Sequence, residues 1–290
     1  KPLNMMWHGG QDPNWLPYRY SFLVSFILVA MAAETFSKLD GYKMDLKSPL
    51  SVIAGISVVA VIFDAIKENA PDLIGFQEAA SVMKKWLGDE LSPLGYTVVG
   101  CGRSADYRGE STCIAFKRDD FELIALETRW LSATPLVPGS RYAADQSGCP
   151  RVYTAATLKH KDSDEIFIFL NTHLDHKGKE AQKNGLKLIV DRIADINTDG
   201  LPMVLTGDFN IEPKNPALKD LDARMQSARK IAAKTDSHDT YNGWGKGTGI
   251  IDYIYMSGFS SCPEYQTVTK RYMDRKYVSD HYPITATLIF

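Results

Sequence analysis

After residue 63 the apolar positions of this chain fall into a regular rhythm. In "IFDAIKENAPDLIGFQEA" (62 to 79) they recur at helical spacing through Ile66, stop around Asn69 and Pro71, and resume as Leu73, Ile74, Gly75, Phe76. The spacing predicts a helix feeding a short strand, with Glu78 at the strand's end. "STCIAFKRDDFELIALETRWLS" (111 to 132) predicts two strands around a polar turn at Arg118 to Asp120, a hairpin. "VYTAATLKHKDSDEIFIFLNTHL" (152 to 174) repeats that arrangement, with Lys159 to Asp164 as its turn. Residues 177 to 197 read as a helix with Leu186, Ile189, Val190 and Ile193 on one face, and "LPMVLTGDFN" (201 to 210) as the strand after it. "GIIDYIYMS" (249 to 257) and "ITATLIF" (284 to 290) are further strands. Helices and strand pairs alternate without a linker, which predicts one α/β domain over residues 1 to 290, two layered sheets flanked by helices.

Two earlier apolar runs, 21 to 33 and 50 to 63, break the rhythm. Each is shorter than the roughly 20 residues that span a bilayer, so they read as core or insertion, with a signal segment or membrane association through 21 to 63 as the lesser alternative. Location is otherwise open between soluble cytoplasmic and secreted. A hydrophobic content of 44% supports a large core, and a net charge of −2 argues against gripping nucleic acid through a massed positive field. The four cysteines, Cys101, Cys113, Cys149 and Cys262, contain no Cys-x-x-Cys pair. That excludes a zinc knuckle and leaves two disulfides or buried thiols open.

The polar residues at the strand ends carry the chemistry. Glu78, His173, Asp208, Asn210, Asp252, Asp280 and His281 all fall at such junctions and are all types that bind metal or move protons. In "VLTGDFNIEP" (204 to 213) the turn at Gly207 would deliver Asp208 and Asn210 on one side of an extended chain. A hard divalent cation needs oxygen ligands, which Glu78 and Asp280 supply. Asp208 suits orienting a water or accepting its proton, and Asn210 suits positioning water and phosphate. His173 and His281 suit donation to phosphoryl oxygens, with Asp252 fixing the tautomer of His281.

"PDLIGFQE" (71 to 78), "NTHLDH" (171 to 176), "TGDFN" (206 to 210), "GIIDYIYM" (249 to 256) and "SDHYPI" (279 to 284) resemble, in this order, the motifs of the endonuclease/exonuclease/phosphatase superfamily, the DNase I-like fold. The resemblance implies a four-layer α/β sandwich of two mainly antiparallel sheets packed face to face. It implies Mg²⁺, with Mn²⁺ as alternative, on Glu78, and a phosphate handled by His173, Asp208 and Asn210, with Asp252 paired to His281 beside Asp280. A Trp-Leu-Ser and Pro-Gly-Ser signature around Trp130 and Pro138 further implies that Glu110 and Arg151 face the site. Asp175 and His176 belong at its rim, and His238 reads as a loop histidine. The aromatic residues of "YNGWG" (241 to 245) and "RYAADQ" (141 to 146) could stack on a base or cover a lipid head group.

Such proteins open with a strand whose asparagine helps hold the metal, and Asn4 is the candidate here. The interval from Asn4 to Glu78 is then too long by several tens of residues, with the excess at about 25 to 60. A lineage-specific insertion, a membrane-associating hairpin or a translated intervening sequence would each account for it, the last best joining the flanks into one helix. The expected activity is hydrolysis of a phosphodiester or phosphomonoester by in-line attack of an activated water. The expected partner is a phosphate ester (nucleic acid, nucleotide, phospholipid head group or inositol phosphate), bound by a monomer with no obligate protein partner. The alternative is a catalytically silent binding module that keeps the fold. A zinc hydrolase built on His173, Asp175 and His176 is disfavoured by the oxygen-rich set.

Overall fold

The computed structural model describes residues 60–142 and 145–290. The chain divides into two units, Lys1–Ala60 and Val61–Phe290. Asn4 and the excess interval lie outside the described residues, and the expected single domain is therefore described only in its second part.

Helix α1 (60–69) ends where Pro71 removes a donor, and strand β1 (Leu73–Gly75) follows. Then come α2 (Ser81–Leu91), β2 (Tyr96–Val99), β3 (Ile114–Lys117), β4 (Phe121–Trp130), β5 (Val152–His160) and β6 (Ile166–His173). Helix α3 (Lys179–Ile196) leads into β7 (Met203–Asp208), and short helices α4 (Lys219–Asp222) and α5 (Ala228–Ile231) flank β8 (Gln226–Ser227). Strands β9 (Asp252–Ser257), β10 (Ser261–Thr267) and β11 (Ile284–Ile289) complete the unit.

Six strands form one sheet in the order β4-β5-β6-β7-β9-β8, antiparallel except for the parallel pair β6–β7, which α3 connects. On the other side lie a three-stranded sheet, β1-β3-β2, and a two-stranded one, β10-β11. The central strands are apolar on both faces because both are covered. Ile168 and Leu170 of β6, Met203 and Leu205 of β7, and Tyr253 and Tyr255 of β9 pack with Leu186, Ile189, Val190 and Ile193 of α3. The alternate residues Phe167, Phe169, Val204, Ile254 and Met256 meet Ile114, Phe116 and Tyr265 of the smaller sheets. The architecture is the mixed α/β layering of the DNase I-like fold.

One expected hairpin is not formed. The turn at Arg118 to Asp120 links β3 to β4, but β3 is already flanked by β1 and β2, and β4 is the edge of the six-stranded sheet. Phe116 and Phe121 enter the same core from opposite layers, so the turn carries the chain across the core. The second expected pair, β5–β6, is a hairpin.

A buried amide ties the layers together near the site. Asn171 on β6, fully buried, donates to Phe76 O (2.8 Å) and Cys113 O (3.1 Å) and accepts from Gln77 Nε2 (2.6 Å) and Thr206 Oγ1 (3.0 Å). Its hydrogen-bonding capacity is met across both sheets, which fixes β1 and the chain leading to Glu78 over β6. All four cysteines are unpaired.

Candidate functional site

Strand register alone sets three of the polar residues in a row. His173 of β6 stands beside Asp208 of β7, and Asp208 beside Asp252 of β9. Gly207 permits this close spacing by its lack of a side chain, since a Cβ there would run into Thr172 O and its φ is not left-handed. The left-handed residue is Asn210, at φ 51°. Its side chain therefore turns back on the strand ends, and Nδ2 reaches Leu174 O (3.2 Å), Asp208 Oδ2 (3.3 Å) and His173 Nε2 (3.2 Å). The carbonyl of Leu174 fixes which end of the amide is nitrogen. With Nδ2 donating to Leu174 O and Asp208 Oδ2, His173 completes the set by donating from Nε2 to Asp208 Oδ2 at 3.3 Å.

His281 approaches the same carboxylate oxygen from the other side, with Nε2 at 3.9 Å from Asp208 Oδ2, while its Nδ1 lies 2.8 Å from Asp252 Oδ2. Burial alone would lower its pKa, but the hydrogen bond and charge of Asp252, then Asp208 and Asp280, outweigh it and raise it to about 9. Asp208 is raised to about 7 by burial first and by Asp252 second. His173 is held well below the usual imidazole range, by burial and then by the charges of Arg151 and Arg103. The arrangement is one neutral imidazole and one cationic imidazole on either side of a carboxylate poised near neutrality.

The remaining expected residues line the adjoining wall. Glu78, Glu110, Arg151 and His173 border one small pocket together with Arg103. Glu78 adopts a left-handed φ of 58°. Its pKa is raised by burial in the pocket wall and then by Glu110 and Asp280. Glu110 is ion-paired with Arg103. Arg151 is buried, its NH2 is 3.0 Å from His176 Nδ1, and its Nε makes no hydrogen bond among the described residues. Asp175 sits behind it, Oδ1 at 3.8 Å from Arg151 Nε, and accepts from the backbone N–H groups of Ser147, Lys177 and Gly178. His238 is an exposed loop residue.

Asp208, Asp252 and His281 each offer a ligand atom within 4.8 Å of the others, but their own hydrogen bonds already join them. Glu78 and Asp280 better fit a hard cation, because both offer carboxylate oxygens and the charge of Asp280 raises the cost of ionising Glu78, which a divalent ion would relieve.

One residue at the site carries no legible signal in the sequence, and a second reads only as a possible ligand contact. Arg103 looks no different from Arg108 a few positions on, yet only Arg103 borders the pocket. Tyr241 reads as an exposed loop aromatic, yet its ring meets that of His281 edge-on at 5.1 Å.

Known proteins share this fold. A mannosyl-6-phosphatase of Bacteroides thetaiotaomicron superposes with a TM-score of 0.75 at 27% identity, over 81% of this chain and 91% of that one. An endonuclease/exonuclease/phosphatase from Bacteroides vulgatus gives 0.71 at 28%, over 78% and 88%. The human nocturnin catalytic domain shares the fold, with a TM-score of 0.61 at 21% identity over 80% and 86%. An uncharacterized protein of Acanthamoeba polyphaga mimivirus is 24% identical over 243 residues, 77% of this chain and 88% of its own. Residues 1–73 match a family model described as bacterial membrane protein YfhO. Among the described residues no helix is long and apolar enough to cross a membrane. Residues 58–281 match the model of the endonuclease/exonuclease/phosphatase family, and the chain belongs to that family.

Proposed function

We propose that this chain hydrolyses phosphate esters with the help of a hard divalent cation, Mg²⁺ or Mn²⁺, held by Glu78 and Asp280. The observation that carries the reading is the Asp208 carboxylate set between the Nε2 atoms of His173 and His281, at 3.3 and 3.9 Å. Membership of the family supports it, and the likeness to a mannosyl-6-phosphatase supports including phosphomonoesters among the substrates. Nucleic acid, nucleotides, phospholipid head groups and inositol phosphates remain candidate substrates, since fold does not fix substrate. Because residues 1–73 also resemble another family's model, the site is proposed without relying on Asn4.

Each residue has a role consistent with its surroundings. Asp208, whose pKa is pushed up by burial and then by the charge of Asp252, is a stronger base than an ordinary carboxylate and suits taking a proton from the attacking water. Asn210 Nδ2 steadies that carboxylate. His281, kept cationic by Asp252, offers a charged donor to a phosphoryl oxygen, and His173, neutral and with its Nε2–H given to Asp208 Oδ2, orients that carboxylate. Arg151, whose buried Nε lacks a hydrogen bond among the described residues, suits a second phosphoryl oxygen, with Glu110 and His176 orienting the surrounding arginines. When bound, the cation would stabilise negative charge developing on the phosphate. In the step itself the water oxygen bonds to phosphorus, its proton passes to Asp208, and the leaving oxygen departs and takes up a proton.

The test is phosphate or nucleotide release from a panel of monoesters and diesters, with Mg²⁺ and with EDTA, for the natural protein and Asp208→Ala. Turnover that needs the metal and falls by a factor of 100 or more in the variant, on the order expected for loss of a general base, is the expected result. Undiminished turnover in Asp208→Ala would overturn the assignment, and a folded protein inactive on every ester would return the silent-module reading.

A further inference from the structure

Residues Gly243, Trp244 and Gly245 have successive left-handed φ values of 51°, 57° and 87°. Glycine adopts this conformation freely, but a bulky aromatic residue resists it, and here such a residue takes the middle position. Burial does not repay that strain, because Trp244 is 51% exposed. Strain at an exposed aromatic residue that the surrounding chain holds in place points to a use in binding.

The loop is fixed, and it is fixed to the site. Asn242 N and Gly243 N both donate to Asp280 O, at 2.8 and 2.9 Å. The buried Asn242 side chain donates to Ser279 O (3.1 Å) and accepts from the N–H of Trp244 itself (2.9 Å). Tyr241, three residues before Trp244, lies edge-on against the His281 ring. A Cβ at Gly243 would come 3.0 Å from the Tyr241 hydroxyl, and one at Gly245 would come 2.6 Å from the Tyr277 hydroxyl. Both neighbours of Trp244 also take a left-handed φ, so glycine at each suits the seating of the loop beside residues 279 to 281. Tyr107 is also exposed with a left-handed φ, but it lies in the separate hairpin of residues 102 to 111, with no such tie to Asp280.

We infer that Trp244 is a substrate-contact residue, an indole platform beside the catalytic loop that receives the face of a ring borne by the ester's leaving group. This rests on the phosphoesterase reading and narrows it to ring-bearing esters, a nucleoside phosphate or a sugar phosphate, over ringless ones. Indole stacks on either kind of ring, and every nucleobase offers such a face.

The experiment compares kcat/KM for adenosine 5′-phosphate, a hexose 6-phosphate and glycerol 3-phosphate in the full chain, in Trp244→Gly and in Trp244→Phe. The glycine variant should lose about tenfold, mainly in KM, on whichever ring-bearing ester is the better substrate, as deletion of a stacking partner does. Glycerol 3-phosphate should change less than twofold, and phenylalanine should restore most of the loss. Thermal unfolding of Trp244→Gly at or above the natural midpoint would show that strain was relieved. An equal loss on all three esters, no loss on either ring, or no rescue by phenylalanine would overturn the inference. If none is hydrolysed, the phosphoesterase reading fails separately, and titration calorimetry with the same compounds still tests the platform. Ring-selective binding that disappears in Trp244→Gly supports it, and equal affinity for ringed and ringless esters, or no binding at all, refutes it.

Discussion

Replacing Asp175 by asparagine tests whether the wall behind the site is held by one carboxylate. Asp175 accepts hydrogen bonds from Ser147 N and Oγ, Lys177 N and Gly178 N, and stands 3.8 Å from Arg151 Nε, with its side chain only 1% exposed. An asparagine keeps one acceptor oxygen but turns an NH₂ toward groups that all donate, and it leaves Arg151 without its nearest counter-charge. With charge-assisted hydrogen bonds at about 1.5–3 kcal/mol each, losing one or two gives a destabilisation of roughly 2–4 kcal/mol. The titration behaviour gives a similar figure. Burial works against ionisation of Asp175, but the Gly178, Ser147 and Lys177 donors outweigh it and hold the pKa down to about 2. A shift of that size from an unfolded value near 3.9 is worth about 2.5 kcal/mol. Because the folded pKa is depressed, this stability is fully present above about pH 4 and is lost as pH falls toward 2. Urea unfolding at pH 7 should place Asp175→Asn about 3 kcal/mol below the natural protein, and thermal unfolding several degrees lower. The gap should narrow when the measurement is repeated near pH 3. A gap under 1 kcal/mol at pH 7, or one that does not narrow in acid, would refute the account.

Asp252→Asn should lower kcat by about 10²–10⁴ with little loss of stability, because it removes the charge that keeps His281 protonated and oriented. In His281→Ala the same change should add almost nothing, since the two act as one unit, and additive losses measured in the double variant would contradict that. Asn171→Leu should cost about 2–4 kcal/mol in urea unfolding, because it leaves Phe76 O without its donor and removes the acceptor of Gln77 Nε2 and Thr206 Oγ1, and a loss below 1 kcal/mol would show that the sheets do not depend on this tie. Gly207→Ala should lower both stability and activity, because its Cβ would push Thr172 and the neighbouring His173 away from Asp208. Activity retained at the natural level in that variant would show that the close approach of β6 and β7 does not matter.

The ordered motifs made the family legible before any coordinates, because each couples an apolar strand to a polar end and their order follows the fold. They also picked out His173, Asp208, Asn210, Asp252 and His281, which the structure brings together around one carboxylate oxygen and its neighbours. The β3–β4 turn misled because local pattern says that two strands are joined, and not which sheet each enters. Gly207 misled because a glycine needed for close approach and one needed for a left-handed turn look alike in sequence.

By itself the sequence determined β1, β3 to β7, β9 and β11, the long helix packed on the large sheet, and the residue types available at the strand ends, since these depend on neighbours a few positions apart, whereas β2, β8 and β10 carry too little local pattern to be read. Only the tertiary structure decided the pairing of His173, Asp208 and Asp252, which depends on register between residues 35 and 44 positions apart in the chain. It also decided that Arg103 and Arg151 border one pocket with Glu78, and that Trp244 is held with a left-handed φ in a loop tied to Asp280. Contacts of that kind are chosen by packing over long separations, where the local pattern of apolar and polar residues carries no information about the partner.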